Sequence, residues 1–204
     1  MTAFFMHCYK KIKSLFLVCL LAFFSIGSAD VYASASNSSL NIKNAELTLQ
    51  DDDYELNADV DIKFSPEIEQ AISKGFELNF IVEFQLVSPR KYWFDDEIVT
   101  VSHEVSLSYH ALSRQFLLTR GDQQKIFSNL EDAKQVLSEI RDIKTFNKSD
   151  VEKGETYKAF LLMRLDYKKL PKTLQVDAIG SDSWKISSQR FEWAPSLFRA
   201  ESTK

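Results

Sequence analysis

The sequence predicts an α+β fold built mainly from antiparallel β-sheet, with about seven or eight strands and two short helices covering part of one face. Three observations carry this. Long runs alternate strictly between apolar and polar residues, two short segments switch to the helical period, and acidic or glycine-containing turns separate the runs.

In the first clear run, Tyr54, Leu56, Ala58, Val60, Ile62 and Phe64 alternate with Glu55, Asn57, Asp59, Asp61 and Lys63. Phe76, Leu78, Phe80, Val82, Phe84 and Leu86 form the second. The third places Val99, Val101, Val105, Leu107 and Tyr109 on one face, and the fourth does the same with Tyr157, Ala159, Leu161, Met163 and Leu165. Successive strand side chains point to opposite faces, so each run reads as a strand with one buried side. A sheet solvated on its other side is antiparallel in character. Strands are predicted near 40–49, 53–64, 76–88, 97–110, 113–120, 123–128, 155–168 and 183–193. Asp51-Asp52-Asp53 and Gly121-Asp122 serve as turns, and Leu170-Pro171 as a strand-ending turn.

The first helix is predicted over 66–74, with Ser65 as N-cap and Pro66 at the first helical position. The second is predicted over 130–143, because Leu130, Ala133, Val136, Leu137, Ile140 and Ile143 share a helical face. Ser128 and Glu131 stand at capping-box spacing. This order allows two ββαββ halves, although the residues themselves do not repeat.

The N-terminus has the three parts of a secretory signal: Lys10, Lys11 and Lys13, then the uncharged stretch Ser14–Ile26, then small residues through Ala35. The apolar stretch is shorter than the roughly 18–20 residues that span a bilayer. The expectation is a signal peptide over 1–33 cleaved after Ala33, with Ala29 and Ala35 as neighbouring sites. A polar linker over 34–39, a strand-rich periplasmic domain over 40–194 and a tail over 195–204 follow. An uncleaved inner-membrane anchor is the alternative, and the domain faces the periplasm in both cases. Cys19 lies inside the apolar stretch behind Val18, without the small residue that precedes a lipid-anchoring cysteine. With Cys8 and Cys19 both in the leader, the mature chain has no cysteine, hence neither disulfides nor thiolate metal sites.

Charge excludes one class of partner. The chain has 25 Lys+Arg and 29 Asp+Glu, and removing residues 1–33 takes away three lysines and Asp30, leaving 22 against 28. A mildly acidic domain of interspersed signs lacks the basic stripe that nucleic acid requires. No catalytic residue or cofactor is assigned, because no nucleophile elbow, zincin, P-loop or dinucleotide motif is present. No metal is assigned either. His103 falls among Val101 and Val105 on the apolar face, as a hydrogen-bonded core histidine would. His110, at an odd offset, projects from the other face. Asp51-Asp52-Asp53 and Asp95-Asp96-Glu97 lack EF-hand spacing and read as solvated turns.

Several segments in order carry a resemblance: Ala71-Ile72-Ser73-Lys74-Gly75, Arg90-x-Tyr92-Trp93, Tyr109-His110-Ala111-Leu112, Leu165-Asp166 with Leu170-Pro171, and Trp184…Ser188…Trp193. Together they resemble the exported proteobacterial family termed domain of unknown function 4390. The resemblance implies a Gram-negative periplasmic setting and an accessory role beside a membrane sensor kinase of the nitrogen-regulation type. It supplies no activity.

The partner-binding candidates are Arg90, Tyr92, Trp93 and Phe94, in a loop that sets three consecutive aromatics between basic and acidic residues. These residue types dominate interface energetics. The expected function is a non-catalytic module that binds a protein partner, and the alternative is a small-ligand or lipid-binding protein with its pocket between sheet and helices. Trp93 has a second reading, as a cap folded over the end of the sheet, and Trp184 and Trp193 share that ambiguity. Trp93→Ala separates the two. A capping role predicts a loss of roughly 3–5 kcal/mol in chemical denaturation. An interface role predicts an unchanged midpoint and partner binding weaker by about 2 kcal/mol or more.

Overall fold

Alternation delivers strands where it was cleanest. The computed structural model describes residues 37–92 and 94–198; the predicted leader and Trp93 lie outside them. The chain runs β1 (Ser39–Gln50), β2 (Asp53–Lys63), α1 (Pro66–Ser73), β3 (Leu78–Ser88), β4 (Asp96–His110), β5 (Gln115–Arg120) and β6 (Gln123–Phe127). It continues through α2 (Leu130–Ser138), β7 (Glu139–Asn147), β8 (Lys158–Leu165), α3 (Lys172–Gly180) and β9 (Phe191–Trp193). The fold is α+β, with all strand pairs antiparallel. One sheet has the order β1-β2-β7 and the other β6-β5-β4-β3-β8-β9.

The two sheets face each other over one core. Tyr54, Leu56, Ala58, Val60 and Ile62 of β2 meet Phe80, Val82, Phe84 and Leu86 of β3 and Ala159, Leu161, Met163 and Leu165 of β8. Rings join the layers: Phe64 stacks on Phe80 at 5.9 Å, and Phe146 of β7 stacks on Phe84 at 6.1 Å and on Tyr54 at 4.8 Å. The small sheet leaves β5 and β6 uncovered, and α2 packs there through buried Ala133 and Leu137.

The first helix forms as its sequence signals require. Ser65 Oγ accepts from Ile68 N, and Pro66 opens the helix. Gly75, at φ 89°, closes it with a paired Schellman turn, Phe76 N donating to Ala71 O and Gly75 N to Ile72 O. Glu67, in the first turn, accepts hydrogen bonds from Trp184 Nε1 at 2.6 Å and from the Ser183 hydroxyl. These bonds hold its carboxyl below the usual range and dock the turn around buried Trp184 onto the helix.

Elsewhere the structure departs from the pattern. The second helix stops at Ser138 instead of reaching 143, and its N-cap is Asn129, not Ser128; Asn129 Oδ1 accepts from Asp132 N. Residues 139–147 form a strand against β2 with two register shifts, one beside Asp142 at φ 55° and one beside Thr145. Each bulge adds a residue, so inward Ile140, Ile143 and Phe146 recur every three positions and imitate a helical face. The strand predicted over 183–193 is paired only at Phe191–Trp193, with one bridge between Arg164 and Ser187. The interruption comes at Ser188, whose hydroxyl accepts from Met163 N in place of a carbonyl. A third helix begins directly after Pro171, where only a turn was expected. Its apolar residues form no stripe for sequence patterning to detect, and Val176 is exposed. The element order does repeat as ββαββ, yet the halves are not equivalent: β1 and β2 build the small sheet while β5 and β6 extend the large one.

Phe84→Ala should lower unfolding free energy by about 3–5 kcal/mol in urea denaturation, because it removes a fully buried ring from the contact between sheets. Glu67→Gln tests the docking of the Trp184 turn. A carboxyl whose folded pKa is depressed stabilises above its unfolded pKa and loses that contribution as pH falls through the folded value. The variant should therefore be less stable by about 1 kcal/mol at pH 7, a figure discounted for the exposure of Glu67. The difference should narrow as pH falls below the ordinary glutamate range and close once Glu67 is protonated in the folded domain, in parallel denaturation series.

Candidate functional site

The loop singled out by its aromatics, residues 89–95, leaves the large sheet at the Ser88–Asp96 pair. A bulge between Leu86 and Val87, opposite Val99 and Glu97, twists the ribbon just before it. Local bonds fasten the base: Arg90 pairs with Asp96, and Arg90 N donates to Asp95 Oδ1 at 3.3 Å. Lys91 lies 5.6 Å from the centroid of the Tyr92 ring. Above that base, Tyr92 is 83% and Phe94 94% exposed. Two large rings thus stand in solvent on a braced turn, where packing within the domain gives them no role.

The other tryptophans are resolved by contact. Trp184 is buried in the core, and half-buried Trp193 packs against it, tilting on Phe84 at 6.1 Å and on Phe191 at 5.7 Å. His103 faces inward as predicted, half-buried at an open side of the sandwich, with Nε2 3.2 Å from Lys144 O. His110 is exposed and bonds Ser113 through Nδ1, so the two histidines stay apart. The acidic turns find local partners. Asp53 takes hydrogen bonds from Lys144 at 3.0 Å and from Asn147, which hold its carboxyl low, and Asp95 and Asp96 engage Arg90. Among the described residues no three His, Cys, Asp or Glu side chains group as metal ligands. Nor is any helix among them long and apolar enough to cross a membrane.

Openings lie at both sides of the sandwich. Along the β1 edge runs a groove of about 1120 Å³ between Leu47, Leu49 and Tyr54 on one wall and Trp193 and Phe198 on the other. On the opposite side, a cleft of about 500 Å³ separates β4 and β5 from β7. Its principal cation is Arg120, which motif reading passed over. Its signal was present in the alternation, because Phe116, Leu118 and Arg120 are successive inward positions of β5, and a charge on an apolar face calls for an explanation.

Comparison with protein families decides the relationship. The profile described as domain of unknown function (DUF4390) matches residues 37–194. The chain belongs to the DUF4390 family. The match starts just before β1 and ends just after β9, so both sheets and the aromatic loop lie inside it. No curated protein and no solved structure matches the chain.

Proposed function

We propose that this DUF4390 domain is an exported, non-catalytic periplasmic module that binds a protein partner through the loop between β3 and β4. The observation that supports the reading is the exposure of Tyr92 and Phe94 on a turn braced by Arg90, Asp95 and Asp96. Aromatic side chains on a pre-ordered turn lose little conformational entropy on binding and bring large apolar area to a contact. Arg90 and Lys91 on one flank, with Asp95 and Asp96 on the other, supply a charged rim that fixes register. The family resemblance suggests the extracytoplasmic part of an inner-membrane sensor kinase as the partner.

The double variant Tyr92→Ala/Phe94→Ala tests the site. Its denaturation midpoint should match that of the unmodified domain to within about 0.5 kcal/mol, as for surface positions. Cross-linked pull-down from the native cell envelope should lose the partner that the unmodified domain captures. Retention of the same partner by the double variant would sink the assignment of this loop.

A further inference from the structure

We propose that the cleft between β4–β5 and β7 binds a small multivalent oxyanion, a phosphate or a polycarboxylate, held by Arg120 together with Lys125. Four basic side chains line the cleft, Arg120, Lys125, Arg141 and Lys144, against two carboxylates, Glu104 and Asp142. This local excess sits in a domain whose own balance is acidic, 22 against 28 beyond residue 33. The volume, about 500 Å³, suits a small metabolite-sized ligand.

The pairing of these charges decides which of them await a partner. Arg141 is engaged by Asp59, Lys144 by Asp53 at 3.0 Å, and Glu104 by Lys169 at 2.5 Å. Arg120 and Lys125 have no carboxylate within salt-bridge distance among the described residues. Asp142 stands at the rim, its backbone N–H donated to Asn57 Oδ1.

Arg120 is the anomalous group. Its Nη2 donates to Val136 O at 2.6 Å and to Glu139 O at 2.7 Å, which anchors the guanidinium across the end of α2. Its buried Nε has no hydrogen-bond partner among the described residues. Two neutral carbonyls position the cation without neutralising it. Burial, with the neighbouring Arg141 charge, works against its protonated form. A half-buried guanidinium held in place by neutral carbonyls, its charge offset only by the Glu139 carboxylate beyond ion-pair distance, is suited to recognise carboxylate or phosphate oxygens. The bulged β7 supplies the opposite wall, and the His103–Lys144 bond ties that wall to β4. A purely structural role for Arg120, closing the C-terminal end of α2, accounts for the two carbonyl bonds but not for Lys125 and the excess of cations facing the same space.

The intact exported domain should be titrated with inorganic phosphate and, separately, with citrate, at constant ionic strength balanced with chloride. Backbone amide resonances are the readout. Saturable shifts confined to Gly121, Asp142 and their cleft neighbours are expected for at least one anion, and the anion that saturates identifies the ligand class. Lys125→Gln, on an exposed position of β6, should weaken that binding about 2–5-fold while leaving the fold intact. Arg120→Lys keeps the charge but loses the planar fork, and should weaken it further. Non-saturating shifts matched by chloride alone would overturn the proposal, as would anion binding that neither variant changes.

Discussion

The small sheet stays on the large one because of a column of rings. Tyr54 of β2 stacks on Phe146 of β7, Phe146 stacks on Phe84 of β3, and Phe84 meets Trp193 of β9. Three strands alone would leave much of their apolar face in water, and this column places it against β3 and β8. Phe146 can join the column only because Thr145 is the extra residue of a bulge, with its hydroxyl bonded to Tyr54 O at 2.7 Å. The register of β7 and the contact between sheets are therefore one constraint.

That constraint also shapes the surface. β7 bulges to bring Ile140, Ile143 and Phe146 inward, and it pairs with β2 and not with β4. The two sheets stay separate, and the gap becomes the cationic cleft. Arg120 closes the junction by taking the Val136 and Glu139 carbonyls where α2 gives way directly to β7 without a glycine cap. A residue needed to end a helix is thereby left with its charge facing solvent-accessible space.

The aromatic loop lies outside this economy of packing. Its base is held by one largely exposed ion pair and one backbone hydrogen bond, worth little to stability, and Tyr92 and Phe94 contribute no core contact. Removing Tyr92 or Phe94 would cost the fold almost nothing. Their hydrophobic area is thus available to a partner, whereas that of Trp184 is already used in the core.

Much of the architecture was legible from local sequence pattern. Strands β1 to β6 and β8, the first helix with its Ser65 cap and Gly75 stop, and the inward face of His103 all follow from local pattern, because side-chain period is a property of a few neighbouring residues. The exposed loop was legible as a candidate through its composition, although composition could not say whether its rings pack or project. What only the tertiary structure decided were features created by pairing partners remote in sequence. The end of α2 at Ser138 depends on β2, some eighty residues earlier, claiming Ile140. The breaks around Ser188 depend on β8, and the meaning of Arg120 depends on carbonyls that arrive from another element. A bulge leaves no local signature except a false helical period, so the sequence by itself determined which residues go inside, and long-range pairing decided which element carries them there.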